Sequence, residues 1–270
     1  MRTIKETLQA IKKLLETGSM KNAEKLASLI GVKILPTRKE WGDFPDAIVN
    51  ATLSTAAIHP DYQLAKNGNT ASALRLVGDT LTNSSIEKIK ATAKGKDPVL
   101  VSVHALEDVS INQIPSAMAV LISKKTGWDI ETSIIQSKKV GRTSAPDGFY
   151  RIVNQPTFEG YFPKGRNAII LDDTLTQGGT FASLKAFIES NGGVVIAAIA
   201  LTGKQYSAKL SISSETLSKL RGTYGDLEAW FKVELGYGFD KLTESEARYI
   251  INSKQDADTI RDKIIAAKQA

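Results

Sequence analysis

Cysteine is absent from the 270 residues. That removes disulfides, thiolate nucleophiles and any cysteine-based metal site. No apolar run approaches the roughly 18 residues of a membrane-crossing helix. The opening segment, MRTIKETLQAIKKLLETG, is charged throughout and lacks the apolar stretch of a secretory signal. A cytoplasmic protein without a membrane partner is the expectation. No G-x-G-x-x-G occurs, which argues against a Rossmann dinucleotide site. Gly160 to Asn167 has the spacing of a P-loop, but Arg166-Asn167 stand where Lys-Ser/Thr is required, and the segment precedes a strand instead of following one. There is no internal repeat and no low-complexity tract.

What remains is an ordinary globular composition, 42% apolar and 24% charged. Lys and Arg outnumber Asp and Glu 35 to 29, giving +6. This balance favours anionic ligands in general. A phosphorylated sugar accounts for it as well as a nucleic acid would, and nucleic acid is not the expected partner. Thr3 to Glu16 and Asn22 to Ile30 read as helices, the second faintly like the first helix of a helix-turn-helix. Pro36, Gly42 and Pro45 stand where the recognition helix would follow.

The informative stretch is Asn167 to Thr180, NAIILDDTLTQGGT. Ala168-Ile169-Ile170-Leu171 suits a strand buried on both faces of a parallel sheet. Asp172 and Asp173 follow, then Thr174-Leu175-Thr176-Gln177-Gly178-Gly179-Thr180, then a helical segment. Glycines let backbone N–H groups approach a phosphate closely, and a helix beginning there turns its positive end to the same place. A hydrophobic strand, two acidic residues, two variable positions and Thr-x-Gly-Gly-Thr resemble the phosphoribosyl-pyrophosphate (PRPP) signature of type I phosphoribosyltransferases.

The resemblance implies a parallel, doubly wound α/β sheet with helical N-terminal and C-terminal extensions. It implies that Asp172 and Asp173 accept hydrogen bonds from the ribose hydroxyls. Thr176, Gln177, Gly178, Gly179 and Thr180 would hold the 5′-phosphate, and Thr174 is a further substrate-binding residue. It puts a diphosphate loop after the first core strand, with His104 and Ala105 near the diphosphate, although Glu107 and Asp108 in that loop oppose an anion. It also implies a mobile lid between the second and third core strands. Lys138, Lys139 and Arg142 are the lid residues that would meet the diphosphate. Mg²⁺ is the cofactor implied, held mainly by PRPP, with no protein ligand assigned. The partners implied are PRPP and a nucleobase-like nitrogen acceptor, and a homodimer is left open. Thr176 replaces the aspartate that begins the phosphate loop of 6-oxopurine enzymes, which disfavours a hypoxanthine or guanine acceptor.

The expected organisation is a mostly helical hood over 1–95, an α/β core over 96–205 and a helical extension over 206–270. In the core, strands are expected at 99–103, 129–136, 168–171 and 194–201, with helices at 115–125 and 180–191. Within the polar 138–166 segment, 151–153 and 157–158 could pair as a hairpin. Thr243-x-x-Glu246 is a capping box. Trp230, Phe231, Tyr237 and Phe239 read as core packing or a subunit contact, and His59, before Pro60, as a structural residue. Two further readings stay open beside the transferase: a regulator that senses PRPP without turnover, and an α/β protein for another phosphorylated ligand.

Overall fold

A computed structural model describes residues 38–103, 112–138 and 147–269. The helices expected at 3–16 and 22–30 lie outside these residues. A five-stranded, wholly parallel sheet organises what is described. Its strands are β1 (Ile48–Thr52), β2 (Val99–Ser102), β3 (Ile130–Glu131), β6 (Asn167–Leu175) and β7 (Val194–Gly203). The order is β1-β7-β6-β2-β3, and every pairing is parallel.

Helices cover both faces, as a doubly wound sheet requires. Alternation along β6 explains how. Ile169 and Leu171 enter one apolar cluster with α3 (Thr70–Thr80), α4 (Asn83–Ala93) and α5 (Ile114–Thr126). Ala168 and Ile170 enter the other, with Phe181, Leu184 and Ile188 of α7 (Gly179–Ser190). The side-chain oxygens of Asn69 and Thr82 accept from Ser72 N–H and Ser85 N–H, which starts α3 and α4 at the chain's own capping residues.

Several expectations are corrected. The 1–95 region contributes a strand as well as helices: β1 is an edge of the sheet, preceding α1 (Leu53–Ala57) and α2 (Tyr62–Lys66). The strand expected at 129–136 splits. β3 stays in the main sheet, while β4 (Ile135–Lys138) leaves it to pair antiparallel with β5 (Thr157–Glu159). Between them the Ser133 N–H donates to the Glu131 carboxylate at 2.6 Å, a local bond that competes with the ladder. The 151–153 hairpin arm is instead part of α6 (Gly148–Val153), whose first turn is capped by Asp147 accepting from Tyr150 N–H. The described part of the 138–166 segment, 147–166, is therefore not structureless. Phe149 and Ile152 are buried in one cluster and Phe158 and Phe162 in another. Fully burying such a side chain favours order by about 1.5–3 kcal/mol each.

The C-terminal helices build a third cluster of their own. The longest, α8 (Ser214–Leu235), is kinked at Tyr224. α9 (Glu244–Asn252) and α10 (Ala257–Gln269) pack on it with α6. Phe231 meets Tyr237 and Phe239 edge-on, with ring centres 5.7 and 5.2 Å apart, so the aromatic group is core packing. No helix among the described residues is long and apolar enough to cross a membrane.

Candidate functional site

The site grows out of one register fact. Ser102, the last residue of β2, stands opposite Leu171 of β6. From Asp172 onward β6 is paired only with β7, as far as Leu175 opposite Gly203. The acidic pair thus lies at the carboxyl end of a central strand, inside the strand and not in a loop after it. In an open parallel sheet this is where ligands gather.

Both aspartates are buried, with 8% exposure each. Asp173 shares the face of Ile169 and Leu171. Its Oδ2 lies 2.7 Å from the ammonium of Lys66, the last residue of α2. Asp172 Oδ1 accepts from Asp173 N–H at 2.8 Å. The two groups titrate in opposite directions. Burial, then the neighbouring Asp173, push Asp172 well above the usual carboxylate range. Burial pushes Asp173 up as well, but the charge and hydrogen bond of Lys66, with help from Asp172 and Asn112, hold it below that range. Burial lowers the Lys66 ammonium, and Asp173 outweighs that, leaving it raised.

The phosphate-type loop follows at once. Gly178 adopts φ +82°, the left-handed region, and serves as N-cap of α7. A Cβ there would stand 2.6 Å from Leu210 Cδ2. At Gly179 it would stand 2.8 Å from Gln155 Oε1 and 2.9 Å from Glu246 Oε1. The back of the turn is closed by protein, while Thr174, Thr176 and Thr180 are only half-buried. Their hydroxyls and the first N–H groups of α7 form the open side, a donor set suited to a phosphate dianion.

A buried polar strut supports the closed side. The Thr243 hydroxyl donates to the carbonyl oxygen of Gln177. Thr243 and Glu246 form the expected capping box at the start of α9. Glu246 also takes a two-pronged ion pair from Arg38, Nη2 to Oε1 at 2.8 Å, both side chains being 1% exposed. Arg38 in turn lies over the Tyr237 ring, 4.5 Å from its centre.

Asp172, Asp173, Thr174 and Thr176–Thr180 thus come together. His104, Ala105, Lys139 and Arg142 lie outside the described residues. Lys138 enters only through its β4 pairing with Thr157. Lys66, Arg38 and the inward role of Thr243 and Glu246 had not been expected. The capping box was legible as a helix start, but nothing in its spacing says which loop it touches. A lysine ending a five-residue helix carries no signal at all. His59 fits the structural reading: Nδ1 accepts from Asp61 N–H at 3.1 Å, and Nε2 lies 3.2 Å from Asp79.

No family model matches this chain. Protein TraN of Escherichia coli is 38% identical over 232 residues, covering 86% of this chain and 51% of TraN. An uncharacterized protein of Haemophilus influenzae is 46% identical over 152 residues, covering 56% of this chain and 34% of that protein. The chain therefore spans about half or less of the length of these relatives. Among solved structures it is similar to type I phosphoribosyltransferases. Adenine phosphoribosyltransferase from Thermoanaerobacter pseudethanolicus is 20% identical, with 46% of this chain and 69% of that one covered and a TM-score of 0.31. Orotate phosphoribosyltransferase from Aeropyrum pernix is 19% identical, with 50% and 67% covered and a TM-score of 0.29. At such TM-scores the overlap carries no weight for function, and the reading of the site rests on its own geometry.

Proposed function

We propose that this chain binds Mg²⁺–PRPP and transfers its phosphoribosyl group to a nitrogen nucleophile, with release of diphosphate. One observation carries the reading. Two adjacent carboxylates sit at the end of β6, directly before a half-open, threonine-rich turn that runs into the amino end of α7. A sugar diol and a terminal phosphate, separated by a ribose ring, need that pairing of acceptors and donors.

In the reaction the C1–O bond to diphosphate breaks and its electron pair leaves with the diphosphate. The acceptor nitrogen forms the new bond to C1 and later loses its proton. Positive charge gathers on the ribose in between. Asp172 and Asp173 would accept from the 2′- and 3′-hydroxyls and hold the ring still, which lowers the barrier by orientation. Thr176, Gln177, Gly178, Gly179 and Thr180 would hold the 5′-phosphate. Mg²⁺ enters as part of the substrate. Among the described residues the strand end offers two carboxylates, one of them already paired with Lys66, a donor set too small for a resident ion. Lys138, Lys139 and Arg142 remain the lid residues of the proposal. A nucleobase is the acceptor class that goes with it.

Diphosphate release from PRPP should be measured against a panel of nucleobases. Release with at least one base is the expected outcome. Tight PRPP binding with no release from any would replace the transferase with a PRPP sensor. Unchanged PRPP affinity in the Asp172→Asn/Asp173→Asn double variant would remove the site assignment.

A further inference from the structure

A group that binds PRPP must meet a diphosphate on C1, beside the diol, and the chain from His104 to Gln113 contains neither lysine nor arginine. The described site nevertheless contains a cation that came from elsewhere. Lys66 reaches over from α2 to Asp173 at 2.7 Å, with 29% of its side chain still exposed. α2 is fixed against the segment that leads into α5: the Gln113 N–H donates to the carbonyl oxygen of Ala65 at 3.1 Å. Lys66, Asn112 and Asp173 therefore converge on the β2 side of the acidic pair, where β2 has ended and β6 runs on.

We infer that Lys66 is an anion-binding residue of this site, exchanging Asp173 for the diphosphate on C1 when the ribose diol takes the carboxylates. This rests on the phosphoribosyl reading above. A hydroxyl bonded to Asp173 lies about 2.7 Å from it. With the hydroxyl on Oδ2, the ammonium is then within roughly 5.5 Å of the diol, close enough for its flexible stem to reach a phosphate on the adjoining carbon. The exchange is also selective. A sugar phosphate without an anion at C1 must either leave Lys66 on Asp173, and so compete with it, or strand the ammonium without a partner. A C1 diphosphate gives the released cation a stronger anion. Lys66 thus favours PRPP over its hydrolysis product.

Equilibrium binding of Mg²⁺–PRPP and of ribose 5-phosphate to the full chain tests this, in the wild type, Lys66→Ala and Lys66→Arg. Lys66→Ala should lose at least tenfold in PRPP affinity while ribose 5-phosphate binds as well as before or better, and Lys66→Arg should recover most of the loss. An equal loss for both ligands would make Lys66 merely structural and overturn the inference. So would unchanged PRPP affinity, or a wild type that binds both ligands equally. If the alanine variant fails to fold, Lys66→Met keeps the apolar stem and is read the same way. A wild type that binds neither ligand removes the phosphoribosyl reading and this inference with it. A wild type that binds PRPP with an indifferent Lys66 removes the inference alone.

Discussion

The hydroxyl of Thr243 donates to the backbone carbonyl of Gln177, joining the first turn of a C-terminal helix to the centre of the phosphate-type loop. The loop is therefore shaped from behind by the C-terminal unit and not by the sheet alone. Thr243→Val keeps the shape and removes the donor. It leaves the Gln177 carbonyl buried without that bond, and also removes the cap acceptor of Glu246 N–H. The expected cost is about 1–3 kcal/mol of stability, the usual penalty for an unmet buried polar group. Urea unfolding measures it. PRPP affinity should fall in the same variant, while a wild-type midpoint would argue that the loop holds its own shape.

The ion pair of Arg38 with Glu246 gives a sharper contrast. Arg38→Met strands a buried carboxylate and should destabilise by about 3–5 kcal/mol. The double variant Arg38→Met/Glu246→Gln removes the stranded charge and keeps a side chain that can still meet the Thr243 N–H. It should recover a large part of that loss. A double-mutant cycle by chemical unfolding checks the coupling. Additive losses would mean that the two groups do not depend on each other.

Gly178 and Gly179 fail differently when given a methyl group. At Gly178 the positive φ makes alanine costly by about 1–2 kcal/mol even before contact, and Leu210 Cδ2 blocks the Cβ at 2.6 Å. At Gly179 the methyl would push on Gln155 and Glu246, and so on the strut. Both variants should weaken binding of a sugar 5-phosphate by tenfold or more. Gly95→Ala, at a turn with open space around it, serves as the control. Equal effects at all three positions in a binding titration would separate the loop from the ligand.

The acidic dyad makes a pH prediction whose sign follows from its directions. Asp172 is raised in the folded chain, so the stability it contributes is present below the unfolded carboxylate value near 3.9 and is lost as pH rises through the raised value. Asp173 is lowered, so its contribution is present above about 3.9 and is lost as pH falls through its folded value. Asp172→Asn should therefore stabilise the empty protein at neutral pH and change little in acid. A gain of about 1 kcal/mol corresponds to a melting midpoint roughly 2–4 °C higher in a chain of this size. The same variant should bind PRPP more weakly. A lower midpoint at neutral pH would mean that Asp172 is held as a charged group.

Much of this was legible in the sequence, for reasons that can be named. The continuous apolar run 168–171 demanded a strand covered on both faces, and β6 is one. Pro115 and Gly127 marked the ends of α5 correctly, because a fixed φ and a left-handed residue act locally. β1 was missed because Ile48–Thr52, Ile-Val-Asn-Ala-Thr, offers only two adjacent large apolar residues and no longer run. An edge strand gains its place from β7, which no local pattern reveals. The 138–166 segment looked like a loop because its glycines, prolines and charges dominate the reading. The order of its described part, 147–166, comes from aromatic residues whose partners lie far along the chain. At the site, the residue types of the loop were visible in one stretch. Lys66, Arg38 and Glu246 reach it only through tertiary packing.

That edge strand also governs where the chain can be cut. A fragment begun near residue 96, at the start of the core the sequence suggests, would strip β7 of its outer neighbour. The amide and carbonyl row of β7 from Ile199 to Gly203, now paired with Ile48 to Thr52, would face water along an apolar strand. Exposed flanks of this kind recruit other chains into stacked ribbons. The shortened protein should therefore come out of expression as aggregate, whereas one that retains residue 38 onward keeps the flank sealed and the Arg38 anchor in place.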